Sequence, residues 1–341
     1  MNDIAGRKSE HIDIVLNHDI GGRRERAGFD AIAFEHVALP ELNLDTVDTA
    51  TTFLGRAMAA PLLISSMTGG PERAGAINAA LAEAAGHLRI AFAVGSQRVA
   101  IESAGASGLD KRLRQRAGPV PILANFGAAQ LKSWPGVEMA RRAIEMIDAD
   151  ALIIHLNPLQ EAVQIGGDRD WTGLLEKIAA IARDLGKPVV VKEVGCGISA
   201  GLARQLADVG VAVIDVAGSG GTSWAAVEAE RAPDAKTRAI AMAFRSWGIP
   251  TARALSDARA ACPDTTLIAS GGIRDGIDVA KAICLGADIV GQAAGVLGAA
   301  LKGPDAVVDH FEVMIAQLRI ACFCTGSANL KALRSARLFA I

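Results

Sequence analysis

The sequence contains no tyrosine, and aromatic residues make up only 4% of its 341 positions. Its five cysteines are an odd number and form no C-x-x-C pair, which argues against a disulfide framework and against a zinc site. The N-terminus lacks the apolar core of a signal peptide, and Gly, Gln or Asp interrupts the apolar runs before they reach membrane-spanning length. We therefore expect a cytoplasmic protein without a membrane partner.

The chain also lacks a strong excess of charge of one sign, because 35 Lys and Arg residues are balanced by 37 Asp and Glu residues. A net charge of −2 gives no broad electrostatic attraction to nucleic acid, so none is expected as a partner. An anionic small-molecule ligand must then be bound by local basic groups rather than by the field of the whole protein.

The sequence does contain a regular alternation of short aliphatic runs with longer helical patterns, beginning near residue 61. This alternation is typical of a parallel sheet covered by helices, and eight repeats favour an α/β fold of the closed (β/α)8 or TIM-barrel type over a doubly wound sheet. We predict a single domain, with residues 1–60 as an N-terminal extension covering the barrel, 61–303 as the barrel and 304–341 as a C-terminal helical segment. The predicted strands begin at Pro61, Ile90, Pro119, Ala151, Pro188, Val211, Thr266 and Asp288, and the predicted barrel helices cover residues 72–88, 137–147, 171–185, 199–209 and 276–285.

Polar residues and glycines follow nearly every predicted strand, at the barrel end where such folds carry their active sites. Glycine-containing loops at residues 271–274 and 291–294 follow the seventh and eighth strands, and Thr222 follows the sixth. Glycines of this kind either permit tight turns or let backbone N–H groups point at a phosphate. Two such loops in the expected places favour a phosphate site.

Lys192 ends an otherwise apolar strand, where a buried ammonium is costly unless it has an anionic partner or an electron-rich ring. Two interpretations stay open: Lys192 contacts the edge of a flavin ring, or it forms a core ion pair with Asp215 or Glu193. The glycine-rich turn after this strand imitates a dinucleotide-binding motif, but its spacing is one residue too long, so a Rossmann site has little support.

Two further groups could bind a phosphorylated ligand. Glu161 lies beside amide side chains just beyond the fourth strand, a combination suited to Mg²⁺ that bridges phosphates, although a lone glutamate is usually a solvated loop residue. Arg7, Lys8 and His11 form a basic cluster before the barrel begins. Such a cluster is usually solvent-exposed, and it bears on a ligand only if the extension folds over the barrel mouth.

Over nearly its whole length the chain resembles the type 2 isopentenyl-diphosphate isomerases, an FMN-dependent family. The resemblance depends on the order and spacing of seven motifs. They are RKSEHI from Arg7, SMTGG from Ser66, GSQR from Gly95, ANFGA from Ala124, NPLQE from Asn157, GGTSW from Gly220 and SGGIR from Ser270. The resemblance implies a (β/α)8-barrel isomerase of isoprenoid biosynthesis that interconverts isopentenyl and dimethylallyl diphosphate.

The resemblance also implies roles for individual residues. FMN would be bound by Ser66, Met67, Thr68, Ser96, Asn125, Lys192, Thr222, Gly272, Ile273, Arg274, Ala293 and Ala294. The isoprenoid diphosphate would contact Arg7, Lys8, His11, Ser96, Gln97, Arg98, His155, Asn157, Gln160 and Trp224. Gln160, Lys192 and Glu228 would be catalytic, and Glu161 would bind Mg²⁺.

The implied reaction adds a proton to one carbon of an alkene and removes a proton from another, through a tertiary cationic transition state. Negative charge or π density in a dry pocket stabilises such a state. We hypothesise that reduced FMN acts as the acid–base group without net redox change, and that NADPH serves only to reduce it. The family also implies a homo-oligomer, either a tetramer or an octamer.

Two departures from the family pattern and three alternatives qualify this interpretation. Residues 164–168 read QIGGD where the family usually has Pro-Glu-Gly-Asp, and Ala217 stands where it often has serine. These changes put in doubt the approach of the loop to a metal and one contact to FMN. The alternatives are an FMN-dependent oxidoreductase of the hydroxy-acid oxidase or dihydroorotate dehydrogenase type, a nucleotide-reductase barrel with Cys196 as nucleophile, and a non-enzymatic flavin carrier.

Overall fold

The computed structural model describes residues 4–17, 20, 27–67, 72–102 and 108–341. The strands in this part of the chain are β1 (Ile32–Phe34), β2 (Thr51–Phe53), β3 (Arg56–Met58), β4 (Leu62–Ile64), β5 (Ala91–Ala93), β6 (Ile122–Gly127), β7 (Ala151–Leu156), β8 (Val189–Glu193), β9 (Val213–Asp215), β10 (Thr266–Ala269), β11 (Ile289–Gln292) and β12 (Leu338–Ala340). Strands β4 to β11 form a closed parallel barrel in chain order, and β11 pairs with β4. The eight predicted strands and the (β/α)8 fold are confirmed.

The barrel strands are buried because their side chains are almost all aliphatic. Val189, Val190 and Val191 of β8 are at most 2% exposed, and such β-branched residues fit the pleated surface of a strand. Charged residues enter this region only where strands end. Lys192 of β8 lies beside Asp215 of β9 in the register of the two parallel strands, so the sheet itself brings the two charges together.

Helices surround the barrel. They are α1 (Ile4–Asn17), α2 (Glu72–Leu88), α3 (Arg98–Glu102), α4 (Arg112–Ala117), α5 (Gly136–Ile147), α6 (Pro158–Val163), α7 (Leu174–Asp184), α8 (Ala200–Asp208), α9 (Trp224–Glu230), α10 (Ala235–Met242), α11 (Thr251–Ala261), α12 (Gly276–Cys284), α13 (Ala294–Ala300), α14 (Pro304–Cys324) and α15 (Leu330–Leu333). The five predicted barrel helices correspond to α2, α5, α7, α8 and α12, and α14 packs against both α2 and α12. Among the described residues, no helix combines the length and the apolar composition that a membrane crossing requires.

Helix α12 illustrates how the local sequence defines these elements. Asp275 caps its first turn by accepting hydrogen bonds from the backbone N–H groups of Ile277 and Asp278, which otherwise have no partner inside the helix. Val279 and Ile283 lie on one face of the helix and are buried. A capped start and an apolar face therefore fix both the beginning of α12 and the side that packs on the barrel.

The segment before the barrel reaches both barrel ends. Helix α1 lies where the strands end, because Ile12 and Val15 line the cavity found there. The β2–β3 hairpin lies at the opposite end, where Arg56 donates to Asp150 Oδ1 and to the carbonyl of Pro119, both just before barrel strands. In the chain, β1 lies between α1 and this hairpin, and it pairs antiparallel with β12. The C-terminal segment, predicted as helical, therefore also contains a strand.

Candidate active site

A cavity of about 570 Å³ lies at the C-terminal ends of the barrel strands. Its size is within the range of small-molecule and cofactor sites, and residues at or just beyond the end of every barrel strand contribute to its wall. The predicted site residues that line it are His11, Ser66, Met67, Ser96, Arg98, Asn125, His155, Asn157, Gln160, Glu161, Lys192, Thr222, Trp224, Gly272, Ile273, Arg274, Ala293 and Ala294. The fold thus brings into one space residues that are far apart in the sequence.

Five predicted site residues are not in this set, and the structure does not describe the side chains of three of them. Thr68 lies outside the described residues. Arg7 and Lys8 belong to α1, and at these two positions the structure describes only the backbone. Gln97 and Glu228 are described, and both are buried next to residues of the cavity wall.

Gln97 supports the barrel wall rather than contacting the cavity. Its side chain is completely buried. Nε2 donates to the carbonyl of Ala143 on α5 at 2.9 Å, and Oε1 accepts from the backbone N–H of Asn125 at 2.9 Å. Both ends of the amide are engaged behind the wall, whereas the neighbours Ser96 and Arg98 line the cavity. The substrate contact of Gln97 stays a prediction.

The core ion pair considered for Lys192 is present, and Lys192 lines the cavity as well. Its Nζ lies 3.3 Å from Asp215 Oδ2 and donates to the carbonyl of Glu193 at 3.0 Å. The Glu193 carboxylate accepts instead from the backbone N–H groups of Val194 and Gly195, each at 2.6 Å, and burial raises the pKa of Glu193 to about 7. Lys192 can therefore present an ammonium group, already paired with a carboxylate, to a ligand in the cavity.

Gln160 lines the cavity and is held from behind by Glu228 on α9. Gln160 Nε2 donates to Glu228 Oε1 at 3.0 Å, and Gln160 Oε1 accepts from Asn157 Nδ2 at 3.1 Å, which fixes the orientation of the amide. Glu228 also lies 2.9 Å from Arg231 and 3.1 Å from His11. Burial acts to raise the pKa of Glu228, but contacts with His11 and Gln160 and the charge of Arg231 outweigh it and hold the pKa below its ordinary value. Glu228 is therefore a carboxylate at neutral pH.

Glu161 lies on α6, and the divergent loop at residues 164–168 folds back onto it. Its Oε1 accepts from Asn157 Nδ2 at 3.0 Å, and its Oε2 accepts from the backbone N–H of Asp168 at 2.8 Å. Gly167 permits this approach, because a Cβ there would lie 2.1 Å from the carbonyl oxygen of Glu161. Within the part of the chain that the structure describes, no three His, Cys, Asp or Glu side chains come together around a metal position. Glu161 lines the cavity wall.

His155 is held in one tautomer by its neighbours. Its Nδ1 lies 2.8 Å from Asn125 Oδ1, and Asn125 Nδ2 donates to the carbonyl of Val94 at 3.1 Å. Since the Asn125 oxygen can only accept, Nδ1 of His155 carries the hydrogen. The neutral ring then has an acceptor at Nε2, and the protonated ring has a second donor there for an anionic ligand.

Glycines shape the part of the cavity where a phosphate was expected. A Cβ on Gly221 would lie 2.7 Å from the backbone nitrogen of Gly272, so the loops after β9 and β10 touch through these two residues. Arg274 is already engaged with Asp30 at 2.7 Å and with Asp278 at 2.9 Å, and these side-chain hydrogen bonds raise the pKa of its guanidinium. The backbone of the two loops therefore contributes to this wall beside an arginine that is already paired.

Apart from His11 Nε2, which lies 3.1 Å from Glu228 Oε1, three buried polar atoms of the cavity wall have no hydrogen-bond partner among the described residues. They are Ser65 Oγ, Ser66 Oγ and Asn157 Oδ1. A buried polar group without a partner costs about 1–3 kcal/mol, so three such atoms facing one cavity indicate that a ligand supplies the missing partners. Ser65 was not predicted as a site residue, although its position directly after β4, at the end of a barrel strand, could have indicated it.

The sequence analysis also missed the apolar part of the wall. Ile12 and Val15 of α1 line the cavity together with Ile20. The available signal was helical spacing, since residues three positions apart lie on one face of a helix. The cavity therefore combines polar strand ends with an apolar cover from the N-terminal segment.

Comparison with protein families places the chain among flavoproteins. A family model described as "FMN-dependent dehydrogenase" matches residues 3–115 and 154–340. Three relatives, each named "Isopentenyl-diphosphate delta-isomerase", come from Stutzerimonas stutzeri, Cronobacter sakazakii and Nostoc sp. The first is 65% identical over 98% of this chain and 97% of its own. The second is 60% identical, with coverages of 98% and 97%, and the third is 48% identical, with coverages of 96% and 93%.

Solved structures with a similar fold are more distant in sequence. Mandelate oxidase with benzoyl-formic acid has a TM-score of 0.67 and 19% identity, over 97% of this chain and 94% of the other. The lactate oxidase from Pediococcus acidilactici has a TM-score of 0.67 and 17% identity, with coverages of 98% and 94%. At this level of identity the likeness bears on the fold alone.

Proposed function

This chain belongs to the FMN-dependent dehydrogenase family and, within it, to the isopentenyl-diphosphate delta-isomerases, and we propose that it interconverts isopentenyl and dimethylallyl diphosphate by a 1,3-proton shift. The observation that carries the proposal is the meeting of Lys192, Gln160 and Glu161 in one cavity. A redox enzyme of the hydroxy-acid oxidase type would use a flavin-facing lysine but would not require the other two. The isomerase therefore accounts for more of the cavity wall than the oxidoreductase does.

Several features of the cavity fit FMN. The unpartnered hydroxyls of Ser65 and Ser66 can bond to a polar ligand, and the ammonium of Lys192 can contact the edge of a flavin ring. When bound in its reduced form, FMN would supply an electron-rich ring and the acid–base group for the proton shift. Its contacts would be Ser66, Met67, Ser96, Asn125, Lys192, Thr222, Gly272, Ile273, Arg274, Ala293 and Ala294, with Thr68 as a further contact predicted from the sequence.

Glu228 would place negative charge near the isoprenoid carbons, and the neutral amide of Gln160 lies between this carboxylate and the cavity. Glu228 is held as a carboxylate and accepts a hydrogen bond from Gln160, so the amide is oriented before substrate arrives. A fixed negative charge behind the wall favours a cationic transition state more than the neutral alkene. Trp224 and the apolar residues of α1 would exclude water from this part of the cavity, because water would screen the charge and trap the cation.

The opposite end of the substrate would be held by polar groups. Arg98, His155 and Asn157 line the cavity, and the protonated ring of His155 can donate through Nε2. Glu161 and the unpartnered Asn157 Oδ1 are hard oxygen ligands, and Mg²⁺ commonly binds through one or two such protein oxygens together with substrate phosphates. His11 of α1 would complete this region, and Arg7 and Lys8 stay predicted contacts.

Other parts of the expectation stay predictions. They are NADPH as the reductant, a cytoplasmic location, a tetramer or octamer, and the absence of a nucleic-acid partner. The N-terminal residues 1–60, the barrel 61–303 and the segment 304–341 are proposed to act as one domain.

The decisive experiment is an anaerobic incubation of the FMN-loaded, dithionite-reduced protein with isopentenyl diphosphate and MgCl₂ in deuterated water. We expect dimethylallyl diphosphate with solvent deuterium in its terminal methyl group, and no consumption of reductant in proportion to product. One equivalent of reductant consumed per product would favour the oxidoreductase. Product that keeps all of its original hydrogens would refute the proton shift through an exchangeable group.

A further inference from the structure

Asp215 is a buried carboxylate to which the proposed function gives no role. It ends β9, is 1% exposed, and is not among the residues that line the cavity. A carboxylate in such a place has lost its solvation, so partners inside the protein must compensate it. Those partners indicate what the charge is for.

The Asp215 carboxylate connects three residues of the cavity wall. Its Oδ2 lies 3.3 Å from Nζ of Lys192. Its Oδ1 accepts from Ser270 Oγ at 2.8 Å and from the backbone N–H of Ala217 at 3.2 Å. Lys192, Ser270 and Ala217 all line the cavity, so one side chain behind the wall holds three positions on it.

Of the charged groups around Lys192, Asp215 is the one that neutralises its ammonium. Among the ion pairs of the described residues, Asp215 is the carboxylate that contacts Lys192. Glu193 follows Lys192 in the chain, but its carboxylate is occupied by backbone N–H groups. His155 is the register partner of Lys192 on β7, and an imidazole is neutral or positive, so it cannot balance an ammonium.

We propose that Asp215 is a positioning residue that keeps Lys192 protonated and fixes its ammonium group toward the bound flavin. This inference rests on the proposed FMN site. An isolated buried ammonium tends to lose its proton near neutral pH. Without the charge of Asp215, Lys192 would become a neutral amine, which stabilises the reduced, anionic flavin less than an ammonium does.

The test measures FMN binding rather than turnover. Asp215→Asn keeps the shape of the side chain and removes its charge. We would measure the dissociation constant of oxidised FMN and the midpoint potential of the bound flavin, which together give the affinity ratio of reduced to oxidised FMN. At about pH 8 this ratio should fall at least about tenfold below the parent value, which is a potential lower by about 30 mV for a two-electron couple. At about pH 6 the ratio should return toward the parent value, because Lys192 is protonated again.

Two control variants separate charge from packing. Ser270→Ala removes a hydrogen bond to the same carboxylate but keeps both charges, so its ratio should stay within about twofold of the parent at both pH values. In Lys192→Met the affinity ratio of reduced to oxidised FMN should be lowered at both pH values, since methionine has no amine to protonate. If Asp215→Asn does not fold, Asp215→Ser serves with the same expectations, and binding of oxidised FMN confirms that a variant is folded.

Two results for Asp215→Asn would overturn the role of Asp215. One is an affinity ratio equal to that of the parent at both pH values, and the other is a ratio lowered by the same factor at both. These outcomes are distinct from a failure of the proposed function. A parent protein that binds no FMN, or that binds it and does not isomerise the substrate, would refute the proposed function itself. A parent that does both, beside an unaffected Asp215→Asn variant, refutes only the inference about Asp215.

Discussion

Gly167 offers a direct test of how the divergent loop serves Glu161. The loop returns to the carboxylate through the backbone N–H of Asp168, 2.8 Å from Glu161 Oε2. A Cβ at Gly167 would lie 2.1 Å from the carbonyl oxygen of Glu161 and 2.8 Å from its carbonyl carbon. Both neighbours are backbone atoms, so the Gly167→Ala variant must move the loop, and we expect this movement to break the hydrogen bond from the adjacent Asp168 to Glu161.

The magnitude follows from that one hydrogen bond. A bond to a charged acceptor contributes about 1.5–3 kcal/mol, and loss of a partner that orients a metal ligand typically weakens metal binding by about 10- to 100-fold. We therefore expect Gly167→Ala to raise the Mg²⁺ concentration for half-maximal isomerase activity by about 10- to 100-fold. The assay is the initial rate of isomerisation at saturating substrate over a series of MgCl₂ concentrations.

A matched control and a benchmark accompany this variant. Gly201 lies in α8, and a Cβ added there meets nothing within 4 Å, so Gly201→Ala should leave the Mg²⁺ requirement unchanged. Glu161→Gln removes the carboxylate itself and should raise the requirement at least as much as Gly167→Ala. A Gly167→Ala protein that melts like the parent and needs no more Mg²⁺ would refute the reasoning. A Glu161→Gln protein whose Mg²⁺ requirement equals that of the parent would refute it as well.

Three further predictions concern other parts of the molecule. Glu228→Gln weakens the contact that orients Gln160, so kcat should fall about 10- to 100-fold with little change in KM, as steady-state rates would reveal. The pKa of Glu228 in the folded protein is depressed. The stability that its charge contributes is therefore complete above about pH 4.5 and is lost as the pH falls through the folded pKa. The acid unfolding curves of parent and Glu228→Gln should converge below that pH. Ser66→Ala should weaken FMN binding about 2- to 12-fold, measured by flavin fluorescence, since it removes one hydrogen bond of about 0.5–1.5 kcal/mol; unchanged affinity would exclude that contact. Asp150→Asn removes the carboxylate that Arg56 and Arg114 share and leaves Arg114 with its 3.8 Å contact to Asp148. It should lower the free energy of unfolding by about 2–4 kcal/mol in urea while kcat is preserved, the value being reduced because Arg56 is partly exposed.

The barrel was predictable from the sequence because its signal is local and repeated. An aliphatic run such as VVV at β8, followed directly by Lys192, predicts both a buried strand and the position where that strand ends. Parallel strands then place their ends at one edge by geometry alone. The gathering of Lys192, Gln160 and Glu161 in one cavity therefore followed from the order of strands, without knowledge of any individual contact.

The direction in which each side chain points could not be predicted in the same way. A motif such as GSQR names consecutive residues, but it does not state on which side of the backbone each side chain lies. In the structure Ser96 and Arg98 line the cavity, while Gln97 donates to a carbonyl of α5. The apolar cover from Ile12 and Val15 was missed for a related reason, since nothing local in α1 states which part of the barrel its apolar face will meet.

The charges behind the wall form a second layer, which explains why the interpretations of Lys192 did not exclude each other. Lys192 faces the cavity and is backed by Asp215, and Gln160 faces the cavity and is backed by Glu228. In each case a buried carboxylate contacts a polar group that lines the cavity, so an ion pair in the core is compatible with a place at the cavity wall. Paired charge behind the wall lowers the cost of keeping a polar group in a dry cavity, and dryness is what a cationic transition state requires.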